Sequence, residues 1–119
     1  MFFMLYRIFT INKISVMLYH ESDYYEEDIQ LAEVCKAIAH PARIQILRII
    51  VAKQNCTVSH LVKKMNLAQS TVSQHLKALK DAGLVKTASQ GVSTVLSVKI
   101  KSLKNAEKAL KYLTQALDR

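Results

Sequence analysis

The sequence predicts a mainly α-helical domain with one small β-hairpin near its C-terminal end. Three observations carry that expectation. Apolar residues recur at intervals of three and four from Leu31 to Leu79, and again from Leu103 to Leu117, the period of helices with one buried face. Between Leu84 and Ile100 the period drops to two, the alternation of a strand. Only two glycines and one proline occur in 119 residues, each where a helix or strand should end.

The elements follow in order. A first helix is expected over residues 28–39, with Leu31, Val34, Cys35 and Ile38 on one face. His40-Pro41 ends it, because the residue before proline avoids the helical region while proline itself suits a first helical turn. The second helix should run from Pro41 to about Lys53. Ile44, Leu47, Ile50 and Val51 keep the helical spacing, and Ile46 and Ile49 widen the stripe enough to bury this helix on most sides. Thr57 is placed to cap a third helix bearing Val58, Leu61, Val62 and Met65, and Asn66 suits the turn after it. The fourth helix, from about Gln69 to Ala82, turns Val72, Leu76 and Leu79 inward and closes at Gly83. Leu84–Ala88 and Ser93–Ile100 read as strands joined through Ser89–Val92, with Gly91 at the tight turn. A last helix, 102–117, repeats Leu103, Ala106, Leu110, Leu113 and Leu117, with Lys101, Lys104, Lys108 and Lys111 around them. This order is a winged helix-turn-helix in a single domain, 20–119: helix-turn-helix at 57–82, wing at 84–100 and C-terminal helix at 102–117.

Composition agrees with a folded domain that meets an anionic partner. Half of the residues are hydrophobic and 22% are charged, which favours a core over disorder. A core this thin gains from a subunit interface. The net charge is +8 and the pI about 9.6. The charge is segregated: six acids and no base from Glu21 to Glu33, then eight bases and one acid, Asp81, from Arg43 to Lys86. So lopsided a block, lying over the helix-turn-helix, reads as a binding face. Two cysteines, Cys35 and Cys56, make no disulfide framework and suit a reducing cytoplasm, most simply as buried small hydrophobes.

Residues 1–19 are an apolar extension, but Arg7, Asn12 and Lys13 interrupt them, and no uncharged run reaches ~18 residues. A basic n-region and a small-residue cleavage site are both missing. The expectation is no membrane attachment. The segment is either a non-native extension ahead of Met17 or an extra element covering a dimer.

The candidate site is the polar side of the fourth helix. Gln69, Ser70, Thr71, Ser73, Gln74, His75 and Lys77 lie on or beside its outward face. Glutamine pairs bidentately with adenine, and serine and threonine meet several base edges in double-stranded DNA. Lys63, Lys64, Lys77, Lys80 and Lys86 supply charge for phosphates. An ordinary solvated surface is the competing reading, and with it a winged-helix module that docks a protein. His75 either touches a phosphate or packs against the third helix, and His40 closes the corner between helices. Cys56 and His60 lie four apart, but two ligands do not make a closed zinc site, and Cys35 or a partner's His20 would have to add to them. A thiol switch at Cys35 or Cys56 would need an exposed, acidic thiol. The expectation is therefore no metal and no cofactor, with Cys35, Cys56 and His60 as the only candidates. Leu103, Ala106, Leu110, Leu113 and Leu117 form either core or a dimer seam, and in such a thin domain a seam is expected. Two-fold symmetry then predicts a palindromic operator with half-sites about 10 bp apart. The sequence has no phosphate-cradling loop, nucleophile elbow or zinc-protease motif, so catalysis is not expected.

The stretches "CKAIAHPARIQILRII" and "LAQSTVSQHLKALKDAGLVKTASQGV" resemble the ArsR/SmtB family of bacterial repressors, over roughly Leu31 to Ile100. The resemblance implies a homodimer that binds an operator near a promoter and releases it when an inducer binds; the terminal helices, through which dimerisation is expected, are consistent in place. It also implies sensors, and here the chain departs. The Cys-x-Cys pair that many relatives carry at the start of the third helix reads Thr57-Val58-Ser59, without the thiolates a soft metal needs. An Asp/His/Glu site on the last helices would find no histidine after His75, and only Glu107 and Asp118 on the final helix. The two-cysteine sulfur sensor would need cysteines on the second and last helices, and neither has one. Beside the wing glycine, where many relatives carry Arg or Lys, stand Ser89, Gln90, Val92 and Ser93. A wing of Gln90, Gly91 and Ser93 should add little charge.

Overall fold

The computed structural model describes residues 23–118. The expectations placed on residues 1–19 and on His20 lie outside the described residues. Among these described residues, five helices and three short strands follow one another: α1 (Glu26–Ile38), α2 (Pro41–Ala52), β1 (Cys56–Thr57), α3 (Val58–Met65), α4 (Gln69–Asp81), β2 (Val85–Gln90), β3 (Ser93–Val98) and α5 (Ile100–Leu117).

Local chemistry sets most of these bounds. His40 caps α2 through Nδ1, which accepts from the Ala42 N–H at 3.0 Å, and Pro41 takes the first helical position. Thr57 Oγ1 accepts from the His60 N–H at 3.2 Å and starts α3, and Asn66 ends it in the left-handed region at φ 52°. Gly83, at φ 75°, closes α4: its N–H reaches the Lys80 carbonyl and the Leu84 N–H the Leu79 carbonyl, both at 2.9 Å.

The sheet has the order β1-β3-β2, antiparallel throughout. Gln90 pairs with Ser93, so the hairpin turns on two residues, Gly91 and Val92, with Gly91 at φ 65°. The strand running to Gln90 therefore takes in Ser89 and Gln90, which the sequence assigns to the loop. β1, two residues pairing Cys56 with Leu96 and Thr57 with Val95, has no counterpart in the sequence reading; it is too short to show a period. The second strand ends at Val98 rather than Ile100, and α5 starts at Ile100, two residues early.

The core lies where α2, α3, α4 and the sheet meet. Ile46, Leu61, Val72, Leu79, Leu84 and Cys56 are its fully buried side chains. Two expectations need correction. First, α2 is not buried on most sides: Ile46, Leu47 and Ile50 are, but Ile44 and Val51 face solvent. Six apolar residues on a short helix cannot all reach one core. Second, α1 buries Ile29, Glu33, Val34 and Ala37, while Leu31 and Ile38 are half-buried and Cys35 is exposed. The predicted stripe instead lines an open groove of about 430 Å³ between α1 and α5, with Leu103, Ala106 and Leu110 opposite. No residue of α5 is buried, and Leu110, Leu113 and Leu117 stay exposed.

Candidate nucleic-acid interface

α4 presents its polar side because its apolar side is anchored. Val72, Leu76 and Leu79 are buried and follow one another at helical spacing. Ser70, Gln74 and Lys77, spaced four and three apart, fall on the opposite side and are exposed; Gln69 and Ser73 are exposed beside them, and Thr71 is half-buried. Lys77 forms an exposed ion pair with Asp81 at 2.9 Å, a contact that water screens and that leaves the ammonium free to exchange partners. Ala68, the residue before α4, offers no side-chain cap. The first N–H groups of α4, at Gln69, Ser70 and Thr71, have no intrahelical partner by construction.

The surrounding cations are exposed as well: Lys63 and Lys64 in the last turn of α3, and Lys86 on β2. The wing tip, Gln90, Gly91, Val92 and Ser93, stands fully in solvent and carries no charge.

His75 has its partners at and just before the start of α2. It is half-buried and turned toward the start of α2, where its Nδ1 accepts from Arg43 Nε at 3.3 Å and its ring lies 4.6 Å from that of His40. The partner is 32 positions away, so spacing within α4 gave no sign of it. Arg43 was missed as a site residue for the same reason.

The metal candidates are not brought together. Cys56 lies on β1, before the α3 cap, so it shares no helix face with His60. It is fully buried, and burial pushes its thiol up against the weaker opposing effect of Lys53. Among the described residues, no group of three His, Cys, Asp or Glu side chains is placed to hold a metal ion. Nor is any helix among them long and apolar enough to cross a membrane.

A short helix, a three-residue connection, a second helix with its polar side outward, and a β-hairpin beside it define a winged helix-turn-helix DNA-binding domain. The family model described as "Bacterial regulatory protein, arsR family" matches residues 40–87. The transcriptional repressor PagR of Bacillus anthracis is 31% identical over 86 residues, covering 71% of this chain and 83% of PagR. An uncharacterised HTH-type regulator of Methanocaldococcus jannaschii is 35% identical over 60 residues, half of this chain and 67% of that one. Among solved structures, an ArsR-like regulator from Rhodococcus superposes with a TM-score of 0.69 at 23% identity, covering 76% of this chain and 84% of that one. The homodimeric winged helix-turn-helix domain of Mb0332 from Mycobacterium bovis superposes with a TM-score of 0.56 at 25% identity, covering 75% of this chain and 79% of that one. The chain belongs to the arsR family of transcriptional regulators, which are DNA-binding proteins and not enzymes.

Proposed function

We propose that this protein is a homodimeric repressor that reads a palindromic operator through α4. The observation that carries the reading is the exposed Ser70–Gln74–Lys77 side of a helix whose other side is locked by Val72, Leu76 and Leu79. Gln69, Ser70, Thr71, Ser73 and Gln74 meet base edges or the nearest phosphates, while Lys63, Lys64, Lys77 and Lys86 hold phosphates along the backbone. The uncharged wing, Gln90, Gly91 and Ser93, adds little to that hold. His75, whose Nδ1 is taken by Arg43, acts from behind the face rather than on it.

The dimer forms across the apolar α1–α5 surface, where Leu103, Ala106, Leu110, Leu113 and Leu117 meet a second copy. The α5 start is bonded to the end of α4: Lys99 N–H donates to the Leu84 carbonyl at 2.8 Å, and Ser102 Oγ to the Gly83 carbonyl at 3.0 Å. A change at the seam thereby alters the distance or rigidity between the two α4 helices, which is how release of the operator works. The site of action is the cytoplasm, and the usual metal-sensing cysteines of the family are replaced by Thr57 and Ser59.

The test is fluorescence anisotropy on DNA from the gene's own upstream region against a random duplex, with the Ser73→Ala/Gln74→Ala double variant. Both side chains are exposed, so the fold should melt unchanged. Loss of even one base contact, worth about 1–3 kcal/mol, should weaken operator binding by at least about 5-fold. Unchanged affinity and specificity in the variant would sink the recognition-helix assignment. Failure of the native protein to bind either duplex would point instead to a protein-docking module.

A further inference from the structure

Where α1 ends, α2 begins and α4 passes, three side chains meet that the outward face of α4 does not use. Arg43 spends two edges of one guanidinium here. Its Nη1 donates to the Ala37 carbonyl in the last turn of α1 at 3.2 Å, and its Nε donates to His75 Nδ1 on α4 at 3.3 Å. The His75 ring sits 4.6 Å from the His40 ring, tilted by 46°, and His40 Nδ1 is already committed to the Ala42 N–H. A guanidinium has donors only, so His75 Nδ1 must present a lone pair. The ring is therefore neutral and carries its proton on Nε2. One rigid fork thus ties α1, α2 and α4 together, a geometry that the single point charge of a lysine does not reproduce.

We propose that Arg43 is the positioning residue of α4: through neutral His75 it sets how the Ser70–Gln74–Lys77 face leaves the domain, and protonation of His75 releases that hold and weakens operator binding. The proposal rests on the reading of α4 as the recognition helix. Protonation replaces the Nδ1 lone pair with an N–H aimed at the guanidinium and adds a positive charge beside His40. Burial, then His40, then Arg43 already hold the His75 imidazole below the ordinary histidine range. A depressed value in the folded state means the folded protein takes up this proton later than the unfolded chain. The contact is whole above the ordinary range near pH 6.5 and is lost as pH falls through the lowered value.

Among the described residues, the charges acting on His75 are those of His40 and Arg43. The other ionisable groups there on elements packed against α4 are His60, Lys63 and Lys64 of α3, Lys86 of β2, Arg48 of α2, and Lys36, Cys35 and the acids of α1, and none of them is among the charges that shift it. On α4 itself Lys77 and Asp81 pair with each other, and Lys80 is exposed.

The sign separates this proposal from plain electrostatics. Added protons raise the net charge, which by phosphate attraction alone tightens DNA binding. Positioning through His75 predicts the reverse for the operator.

The first arm of the test needs no DNA. His75 is titrated by NMR in the native protein and in Arg43→Gln, or in Arg43→Lys if the glutamine variant does not fold. In Arg43→Gln its titration should move up toward the ordinary range. In Arg43→Lys, which keeps the charge but not the fork, the Ala37 and His75 contacts should separate while the fold persists. A His75 signal that ignores both changes would overturn the proposal. The second arm measures anisotropy on upstream and random duplexes from about pH 7.5 down to the pH at which the first arm shows native His75 protonated, with circular dichroism confirming a folded protein. Operator affinity should fall about 5-fold or more, the lower end of ordinary coupling, while random-duplex binding holds or tightens. His75→Asn, whose amide oxygen takes the place of Nδ1 and does not titrate, should flatten the response. An operator affinity that stays level or rises on acidification, or an equal fall in His75→Asn, refutes the proposal. If the upstream duplex is never preferred, the recognition-helix reading has failed, and the NMR arm alone decides the Arg43–His75 contact.

Discussion

Replacing Leu110 and Leu113 by glutamine should dissociate the proposed dimer without unfolding the subunit. In the single chain these two leucines are 46% and 48% exposed, so about half of each side chain is still to be buried. Full burial of a leucine contributes about 1.5–3 kcal/mol, so each half contributes about 0.7–1.5 kcal/mol. A two-fold interface contains both residues twice, and four such halves amount to about 3–6 kcal/mol of association free energy. That corresponds to a dimer Kd raised by about 10²- to 10⁴-fold. Glutamine and leucine have similar helix propensities, and neither leucine anchors the core, so the subunit's own stability should move by no more than about 0.5 kcal/mol. Sedimentation equilibrium over a concentration series reads the Kd directly, with a thermal melt as the control. A double variant that dimerises as tightly as the native protein would refute the placing of the seam on this stripe. A variant that melts far below the native protein at dilutions where both are monomeric would show that α5 belongs to the core instead.

Two further outcomes follow from burial. Leu79→Ala empties a fully buried position behind the recognition face and should cost about 3–5 kcal/mol, a large share of a small domain's stability; urea unfolding with an unchanged slope would measure it, and a loss under about 1 kcal/mol would contradict the anchoring of α4. The two thiols should differ sharply toward a disulfide reagent: Cys56, buried with its thiol pushed up, reacts only on unfolding, whereas exposed Cys35 reacts in the folded chain and fastest in the dissociated Leu110→Gln/Leu113→Gln variant. A single common rate in the native protein would refute the burial of Cys56.

Much of the exposed polar side of α4 was legible from residue order because it rests on local rules. Val72, Leu76 and Leu79 face inward by period alone, which puts Ser70, Gln74 and Lys77 outward. Thr57, Asn66, Gly83 and Gly91 mark ends and turns by what their own backbones or side chains can do, and each stands where the sequence placed it. The first helix was read less well. Its apolar stripe is real, but a stripe does not say whether it meets a core or a groove, and Leu31, Cys35 and Ile38 line the groove. The same ambiguity overstated the burial of α2 and of Cys35.

Helical and strand periods, caps and turns depend on neighbours within a few positions, and so the amino-acid order by itself determined the winged helix-turn-helix, the polar face of α4 and the lysines around it. Burial and long-range partnership depend on which surfaces are brought together. Only the tertiary structure therefore decided that Cys56 is enclosed on a two-residue strand while Cys35 is open, that α5 keeps its leucines outside the core, and that Arg43 reaches across 32 positions to donate to His75 behind the polar face of α4.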